Sequence, residues 1–299
     1  MSTTREELVG TVDGYLDALA ANDPSRLALA SSVKYTENGQ AIPLGYGLWA
    51  NAEAREPGGH YFADPQTGQI GFLGVVRELG NPAMLGLRLK VECPSTGSGR
   101  AAISEVEHVI VRQRERFFEP KTLLGPRPQF LEVLPPSDRT PRAEMIRVTD
   151  TYFEGIQENN GDLCPLTDDC VRFENGIWTA NRPAREGDDP DNPMSVVGRM
   201  KVKEQLSSGF CAYINPIRDR RVLAVDEERG LTYAMVIFDH GGKIKYLDVP
   251  GRGRVEMSAG ALRPASALIA EVFKIRRGQV EYIEAVLDIF PYGMKSGWE

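Results

Sequence analysis

The sequence predicts an α+β fold, because each half of the chain opens with a helical pattern and continues with a series of strand-like segments. The length of 299 residues suggests two domains at roughly 150 residues each. Apolar residues make up 41% of the chain and charged residues 26%, which argues against a coiled coil, a collagen or a disordered chain. Each domain is therefore expected to bury a core of its own.

The charge balance and the cysteine pattern argue against several classes of protein. Basic residues number 35 and acidic residues 42, a net charge of −7, so no binding of nucleic acid is expected. No run approaches the ~18 apolar residues of a membrane helix, and the start MSTTREELVG lacks the apolar core of a signal peptide. Four cysteines without a CxxC pair and three histidines do not form a common metal pattern. The expectation is a cytoplasmic protein with free thiols and with no metal, cofactor or membrane partner.

An internal repeat organises the chain. Identical residues recur at one offset of 137 positions, without a gap, which is hard to obtain by chance. The sequence therefore predicts a tandem duplication. The matching residues are Asp13 and Asp150, Tyr15 and Tyr152, Asn22 and Asn159, and the runs Glu37–Gly39 and Glu174–Gly176.

A proline-rich segment separates the two copies. The stretch EPKTLLGPRPQFLEVLPPSDRTPRAE contains six prolines, which stiffen the chain and interrupt regular elements. We place the boundary near Pro136–Arg142, which gives a first domain of residues 1–136 and a second domain of residues 137–299.

Apolar spacing predicts the elements of each copy, beginning with one helix. A short second helix is expected over Pro24–Ser32, before a strand that enters the Glu-Asn-Gly turn. The hairpin loop Pro94–Arg100 is matched with a longer insertion, His240–Ser266, which is a candidate lid. The helical stripes are Leu8, Val12, Tyr15 and Leu19, then Met145, Thr149, Tyr152 and Ile156. The expected strands are Gly71–Arg77, Met84–Glu92, Ile103–Arg112, Arg221–Asp226, Leu231–Asp239, Ala267–Arg276 and Val280–Ile289.

This order of elements, with a tyrosine in the first helix and an acidic residue near the start of the first strand, resembles the nuclear-transport-factor-2-like (NTF2-like) superfamily. The stretches YTENGQ (Tyr35–Gln40) and GYGLW (Gly45–Trp49) also look like an uncharacterised branch of it. The superfamily includes ketosteroid isomerase, scytalone dehydratase and polyketide cyclases. The resemblance implies two tandem cone-shaped α+β barrels, in each of which a curved antiparallel sheet wraps helices around an apolar pocket.

The ketosteroid isomerase pattern implies catalytic roles for three pairs of residues. It has an oxyanion-binding tyrosine on helix one, a general base near the first strand, and a protonated acid on an inner strand as second oxyanion donor. The family usually has Asp at both carboxyl positions, so Glu changes the reach and leaves the reaction open. The matching residues are Tyr15 and Tyr152 for the tyrosine, Glu37 and Glu174 for the base, and Glu105 and Glu271 for the second donor.

Strand alternation separates the two candidate bases. Glu37 shares a face with Val33 and Tyr35, so its carboxylate is expected to point inward, where burial raises a carboxyl pKa. Glu174 shares a face with Arg172, which would hold it ionised, so the first copy is the better candidate for catalysis. The alternative for Glu37 is a cap on the turn that follows it.

The two candidate second donors have different surroundings. Glu271 shares its face with Ile269 and Phe273, which favours a neutral hydrogen-bond donor. Glu105 lies on a mixed face with Glu107, and two close carboxylates raise each other's pKa. The alternative for the helix-one tyrosines is a core aromatic whose hydroxyl finds any partner.

Two further polar residues, His60 and Asp64, lie in the sequence GGHYFADP, which is expected to be a loop. A His–Asp pair can orient an imidazole as a base, and the alternative is a pair of solvated loop residues. His108 shares its face with apolar residues, which favours a core histidine over a catalytic one. The residues expected to contact substrate are Asn38, Trp49, Asp64 and His108.

Two functions follow from these residues. The first is a cofactor-independent lyase or isomerase that abstracts a proton from a small apolar or aromatic substrate, in a dehydratase-like or a formaldehyde- or water-eliminating reaction. Stabilisation of an oxyanion by hydrogen bonds needs no metal or nucleotide. The second is a non-catalytic scaffold for ligand binding or oligomerisation, in which the Tyr and Glu residues are structural. Assembly into a homo-oligomer is compatible with both.

Overall fold

The structure is a computed structural model that describes residues 3–92, 101–114, 117–125, 127–189, 192–249, 253–257 and 262–299. A long helix precedes the strands in each half, as predicted for an α+β fold. The α-helices are α1 (Arg5–Ala20), α2 (Leu48–Asn51), α3 (Pro128–Leu131), α4 (Arg142–Gln157), α5 (Pro193–Arg199) and α6 (Val202–Ser207). Short 3₁₀ helices span Pro24–Arg26, Pro120–Leu123, Pro136–Asp138 and Gly161–Leu163.

The strands form two curved mixed sheets and a separate hairpin. The first sheet contains β1 (Leu29–Glu37), β2 (Gln40–Ala41), β3 (Ala52–Arg55), β4 (His60–Asp64), β5 (Gln69–Glu78), β6 (Asn81–Glu92) and β7 (Ala102–Arg112). The second sheet begins with β8 (Leu166–Glu174), β9 (Ile177–Ala180), β10 (Ile217–Asp226) and β11 (Leu231–His240). The hairpin of β12 (Tyr246–Val249) and β13 (Gly253–Glu256) follows, and β14 (Ala265–Arg276) and β15 (Gln279–Pro291) complete the second sheet. Every strand segment expected from the sequence lies within one of these strands.

The two sheets have the same strand order. The first runs β2-β1-β7-β6-β5-β3, with β4 also paired to β5, and the second runs β9-β8-β15-β14-β11-β10. The register agrees as well, since Glu37 lies opposite His108 and Glu174 lies opposite Ala285. The expectation of purely antiparallel sheets was wrong, because β1 pairs with β7, and β8 with β15, in parallel. Most of each half lies between these paired strands, which leaves enough chain for a parallel connection.

The two helical stripes predicted from the sequence are confirmed. Helix α1 begins with a capping box, in which the Thr4 hydroxyl accepts from Glu7 N and the Glu7 carboxylate accepts from Thr4 N. The stripe of α1 packs on β3, β4 and β5, and that of α4 packs on β10 and β11. The buried residues of the stripes are Leu8, Val12, Tyr15 and Leu19, then Met145, Thr149, Tyr152 and Ile156.

The second helix expected over Pro24–Ser32 does not form. The Asp23 carboxylate accepts a bond from Ser25 N and caps a single 3₁₀ turn, and β1 begins soon afterwards at Leu29. Leu29 is already paired with Ile103 on β7. Leucine and alanine in this segment favour a helix, so the pairing of β1 with β7 overrides the local propensity here.

The insertion of the second half lies at a different connection from the one expected. It joins β11 to β14, and the corresponding strands of the first half, β5 and β6, are joined by a short turn at Leu79 and Gly80. The expected counterpart, Pro94–Arg100, belongs to the connection between β6 and β7 and lies outside the described residues. One half therefore has a tight turn where the other carries the hairpin β12–β13.

The two sheets pack against each other through an apolar cluster. Two glycines permit the close approach, since a Cβ on Gly71 would lie 2.4 Å from the ring of Tyr233, and one on Gly86 would lie 2.5 Å from Ala270 Cβ. This contact, called the joint below, includes Val75, Met84, Val109, Met235, Val272 and Val286.

Each half also holds the Glu-Asn-Gly turn of the other. After β15, Met294 packs on Gly39, and after β7, Thr122 Oγ1 donates to Gly176 O at 3.1 Å. Both glycines have a positive φ, 78° and 77°, that other residues rarely adopt. The repeated turn therefore has a structural role at the joint.

Candidate active site

The interior of the first half contains a chain of hydrogen-bonded side chains. The hydroxyl of Tyr15 lies 2.8 Å from His108 Nε2, and the hydroxyl of Tyr35 lies 3.2 Å from His108 Nδ1. Trp49 Nε1 donates to the Tyr15 oxygen at 2.9 Å, and the Tyr35 hydroxyl donates to Glu37 Oε2 at 3.0 Å. Burial lowers the pKa of His108 to about 3, with a further contribution from a nearby arginine, so the imidazole is neutral.

The partners of these groups fix the direction of each bond in the chain. The indole N–H of Trp49 is a donor only, so the Tyr15 hydroxyl gives its own proton to His108 Nε2. The neutral imidazole then carries its proton on Nδ1 and donates it to the Tyr35 oxygen. Each polar atom along this chain thereby has a partner.

Glu37 is held at the outer end of the chain. Leu48 N donates to its Oε2 at 2.7 Å, and Arg112 Nη2 donates to its Oε1 at 3.2 Å. Arg112 also donates two bonds to Glu78, and these bonds and the two carboxylates raise its pKa. The carboxylate of Glu37 therefore accepts three hydrogen bonds, including the one from Tyr35, before any substrate is present.

An arginine occupies the matching position in the second half. Arg172, at the register of the first-half Tyr35, donates from Nη1 to the Tyr152 oxygen at 3.2 Å and from Nη2 to Gln205. Its Nε lies 3.3 Å from Glu174 Oε2, which confirms the pairing expected from strand alternation. Burial acts to lower the pKa of Arg172, but Glu174 and the neighbouring acidic groups reverse this, so the pKa is raised.

Glu271, on β14, is a buried acid whose Oε2 has no hydrogen-bond partner among the described residues. Its exposed fraction is only 2%. Burial, together with the charge of Glu174, raises the pKa of Glu271 to about 8 against the opposing effect of Arg172. The carboxyl is therefore mostly protonated at neutral pH and carries a donor.

Tyr152, on α4, completes this group. Burial raises its pKa well above 10, Arg172 opposes that shift, and Glu271 and Glu174 add to it. Because the Tyr152 oxygen accepts from Arg172, its own proton is left for another acceptor. The second half therefore brings together two donors, Tyr152 and Glu271, with the carboxylate of Glu174.

A difference on two neighbouring strands explains why only one interior keeps an unpartnered acid. Glu271 lies opposite Ala285, whereas the first half has Leu87 opposite His108 at the same register. The first half thus has an imidazole that links two tyrosines. The second half has a methyl group in its place and a carboxyl on the adjacent strand.

Glu105 does not occupy the position that corresponds to Glu271. It lies on β7, on the face opposite to His108, and pairs with Arg88 at 2.6 Å. Its register counterpart in the second half is Tyr282. Matching the two glutamates was wrong, because the local contexts SEVEH and AEVFK do not reveal which strand of the sheet each segment forms.

His60 and Asp64 lie on β4 and not in the expected loop. His60 is buried against Phe130, with ring centroids 5.1 Å apart, and burial and the charge of Arg127 lower its pKa to about 4. Asp64 accepts two bonds from Arg142, at 3.0 and 2.5 Å. Four residues along a strand span roughly 13 Å, so Asp64 does not orient His60, and both residues contact segments beyond the first sheet.

The residues expected to contact substrate in the first half have structural partners. Asn38 has a φ of 50°, and its side-chain amide makes two hydrogen bonds with the backbone of Ile110. Asn175 makes the same two bonds with Leu287. Trp49, like the core histidine, belongs to the hydrogen-bonded chain described above.

The sequence analysis does not predict that Arg172 and Gln205 join Tyr152 and Glu271 in the interior of the second half. Arg172 was expected only as a partner of Glu174, and its bond to the tyrosine needs a helix and a strand to meet. One signal was available, since Tyr35 and Arg172 are separated by the repeat offset of 137 positions and so take the same place in the two halves. Gln205 comes from α6 and has no comparable signal.

Open clefts lie on the first half. One, of about 680 Å³, is lined by Leu79 and Arg112, and a smaller one, of about 310 Å³, lies beside Tyr61. In the described part of the chain, no cluster of three or more His, Cys, Asp or Glu side chains is placed to hold a metal ion. Within the same ranges, no helix has the length and apolarity needed to span a bilayer.

Comparison with solved structures gives several likenesses at low identity, and no curated protein matches the chain. A de novo designed protein with a curved β-sheet is 12% identical, with a TM-score of 0.28, over 50% of this chain and 88% of the other. An LEH-like epoxide hydrolase of M. tuberculosis is 13% identical, with a TM-score of 0.29, over 49% and 84%. A protein of Silicibacter sp. TM1040 described as a polyketide cyclase is 14% identical, with a TM-score of 0.30, over 48% and 89%.

The family comparison covers most of the second half. Residues 138–287 match the sequence profile of a family described as a domain of unknown function, DUF8021. The matched span is just over half of the 299 residues and contains Tyr152, Arg172, Glu174 and Glu271. The chain therefore belongs to the DUF8021 family.

Proposed function

We propose that this protein is a cofactor-independent enzyme of the lyase or isomerase class and that its second half holds the active site. The observation that carries the proposal is Glu271, a buried acid with an unpartnered oxygen beside Tyr152 and Glu174. An unpartnered buried polar atom costs about 1–3 kcal/mol, so each one in a native chain calls for an explanation. A buried carboxyl with a raised pKa is also typical of catalytic sites.

Three residues carry the catalytic roles, two as hydrogen-bond donors and one as the base. The Tyr152 hydroxyl and the protonated carboxyl of Glu271 donate hydrogen bonds to a substrate oxygen, on which negative charge develops as a proton leaves the adjacent carbon. Glu174 accepts that proton, and Arg172 fixes its carboxylate. Ketosteroid isomerase combines the same three elements, a tyrosine, a neutral acid and a carboxylate base. The electron pair released at carbon can shift a double bond or expel a leaving group, which gives an isomerase or a lyase.

Charge balance in this interior favours a neutral substrate. Arg172 is paired with Glu174, Glu271 is mostly protonated, and burial raises the pKa of Cys211 to about 11 and keeps it a thiol. An anionic ligand would therefore find no uncompensated cation in this group, and burying its charge would be costly. Apolar side chains such as Phe273 surround the group, which suits a small apolar or aromatic molecule.

The second half is the better candidate, although strand alternation in the sequence favours the first. The Glu37 carboxylate already accepts three bonds, and the Tyr15 proton is already donated to His108. A ligand in the first half would have to break bonds that are fully made, whereas Glu271 offers an unused oxygen. In this proposal, the first half supports the second and performs no chemistry.

We also propose that the chain consists of two NTF2-like domains, residues 1–136 and 137–299, that arose by tandem duplication. The equal strand order of the two sheets supports this division, as does the equal register at Glu37 and Glu174. The reciprocal contacts at the two Glu-Asn-Gly turns are what a fused dimer of equivalent domains would retain.

The test starts with a mass-spectrometric search for ligands that co-purify with the full chain, followed by a turnover screen of aromatic ketones and diols. Tyr152→Phe is expected to lower kcat by roughly 10²–10³-fold, the usual effect of losing an oxyanion donor. Tyr15→Phe is the matched control in the first half and should leave kcat unchanged. Equal losses in the two variants would contradict the assignment to the second half.

The role of Glu271 is tested with two replacements. Glu271→Gln keeps an N–H donor and should retain most of the activity, whereas Glu271→Ala should lose it. Because Glu271 donates only while protonated, activity should fall as the pH rises through about 8. Glu105→Gln, on the opposite face of the first sheet, is the control. Full activity in Glu271→Ala would exclude Glu271 from the chemistry, and a lack of turnover in the unaltered protein would favour the non-catalytic scaffold instead.

A further inference from the structure

The connection between β11 and β14 distinguishes the half that holds Glu271. The described residues at the matching connection of the first half form only the turn at Leu79 and Gly80, beside the open cleft of about 680 Å³. That cleft reaches Arg112, the partner of Glu37. Glu174 has the register of Glu37, so it lies at the corresponding end of the second sheet. This end carries the hairpin β12–β13.

The hairpin has a small core of its own. Leu247 and Val249 on β12 are buried together with Val197 on α5, and Val255 and Tyr213 pack around them. This cluster is distinct from the main core of the second half, and among the described strands β12 pairs only with β13. A unit with few buried apolar contacts opens at a lower free energy than the sheets do.

The segment Phe210–Tyr213 connects this small core to the proposed catalytic group. Phe210 packs against both cores. Burial raises the pKa of Cys211, and the charges of Arg172 and Glu174 also act on it, so its thiol lies beside that ion pair. The segment therefore lies between the hairpin and the catalytic side chains.

We propose that the hairpin β12–β13 forms a gate that lifts from α5 and the segment Phe210–Tyr213 to admit substrate to Glu271. The inference rests on the proposed function, because it supplies the access route for that site. The face that the gate turns toward the segment is apolar, through Leu247 and Val249, which suits an apolar substrate. Closure excludes water, which strengthens the hydrogen bonds that Tyr152 and Glu271 make to the substrate.

Cys211 reports opening of the gate without any substrate. Cys211, Cys164 and Cys170 are all buried in the main core, but of these only Cys211 has chain neighbours, Phe210 and Ala212, that pack against the hairpin. Cys164 and Cys170 lie around α4 and β8. The full chain is treated with N-ethylmaleimide, and labelling of each cysteine is followed by mass spectrometry of its peptides. We expect Cys211 to react at least about tenfold faster than the other two, since it needs only local opening.

A pair of variants on one strand sharpens this test. Leu247→Ser removes a buried side chain of the gate, and Tyr246→Ser alters an exposed neighbour on the same strand. Leu247→Ser should speed labelling of Cys211 about tenfold, which corresponds to about 1.4 kcal/mol, and should leave Cys164 and Cys170 unaffected. Tyr246→Ser should change none of the three rates.

Two results would overturn the gate. If Cys211, Cys164 and Cys170 react at one rate in the unaltered protein, exposure of Cys211 requires global unfolding. If Leu247→Ser and Tyr246→Ser behave alike, the apolar contacts of the hairpin do not control access. Neither readout depends on turnover, so a protein that opens as expected but fails the tyrosine and glutamate tests would refute only the proposed function.

Discussion

Differences at three matching positions give the two halves unlike interiors. Repetition in the sequence predicts the shared tyrosines and glutamates, and strand alternation predicts the pairing of Arg172 with Glu174. The sequence does not predict in which interior the polar side chains find hydrogen-bond partners. That depends on side chains that are distant in the chain, such as Tyr15 and His108. The differing positions are Tyr35 and Arg172, His108 and Ala285, and Leu87 and Glu271.

The raised pKa of Glu271 makes stability depend on pH. Its ordinary pKa is 4.5 and its pKa in the folded protein is about 8, so the folded state binds the proton more tightly. The stabilisation is fully present below the unfolded pKa and is lost as the pH rises through about 8. Between these values, this group should lower the free energy of unfolding by about 1.4 kcal/mol per pH unit.

Urea denaturation of the unaltered protein and of Glu271→Gln over this pH range measures that effect. The variant has no group to ionise, so its advantage should grow with pH. Glu144→Gln, in an exposed ion pair with Arg147, is the matched control and should show no such trend. A difference between Glu271→Gln and the unaltered protein that stays constant with pH would show that Glu271 is not buried as a neutral acid.

At the scale of elements, periodicity predicts what each segment forms but not what it pairs with. The helical stripes and seven strand segments are recovered because burial of one face imposes a period on the sequence. The parallel pairing of β1 with β7 has no such signal, since alternation is the same for either direction. The β4 strand was missed because its flanking glycines, Gly58 and Gly59, are typical of a loop, and both do have a positive φ.

The asparagines of the two Glu-Asn-Gly turns tie β1 to β7 and β8 to β15. Asn38→Ala and Asn175→Ala each leave a buried backbone N–H and C=O without partners, so each should lower the free energy of unfolding by about 1–3 kcal/mol. Asn81→Ala, at an exposed turn, is the control and should cost under about 0.5 kcal/mol. Urea denaturation measures all three. A loss at only one turn would show that the matching bonds are not equivalent in strength.

At the scale of the molecule, the joint makes the two sheets one structure. Apolar side chains fill its centre, Arg221 pairs with Glu107 across it at 2.6 Å, and Trp298 reaches back to donate to Thr36 at 2.8 Å. None of these contacts has a sequence signal, because a strand with two buried faces does not show which face meets another sheet. Glycines within strands are the exception, since a missing side chain there often marks a close approach.

Gly86 offers a direct test of the joint. A valine there would place its Cβ 2.5 Å from Ala270 Cβ, so Gly86→Val should push the sheets apart and cost at least about 1–3 kcal/mol through overpacking. Because the strain falls on the contact between the halves, calorimetry should resolve two unfolding transitions where the unaltered protein shows one. Gly10→Ala, on the exposed face of α1 with no atom near its added methyl, should instead stabilise by about 0.5–1 kcal/mol. A single transition at an unchanged Tm in Gly86→Val would mean that the packing of the two sheets does not depend on this contact. The contacts that each half makes with the Glu-Asn-Gly turn of the other would then have to keep the halves together.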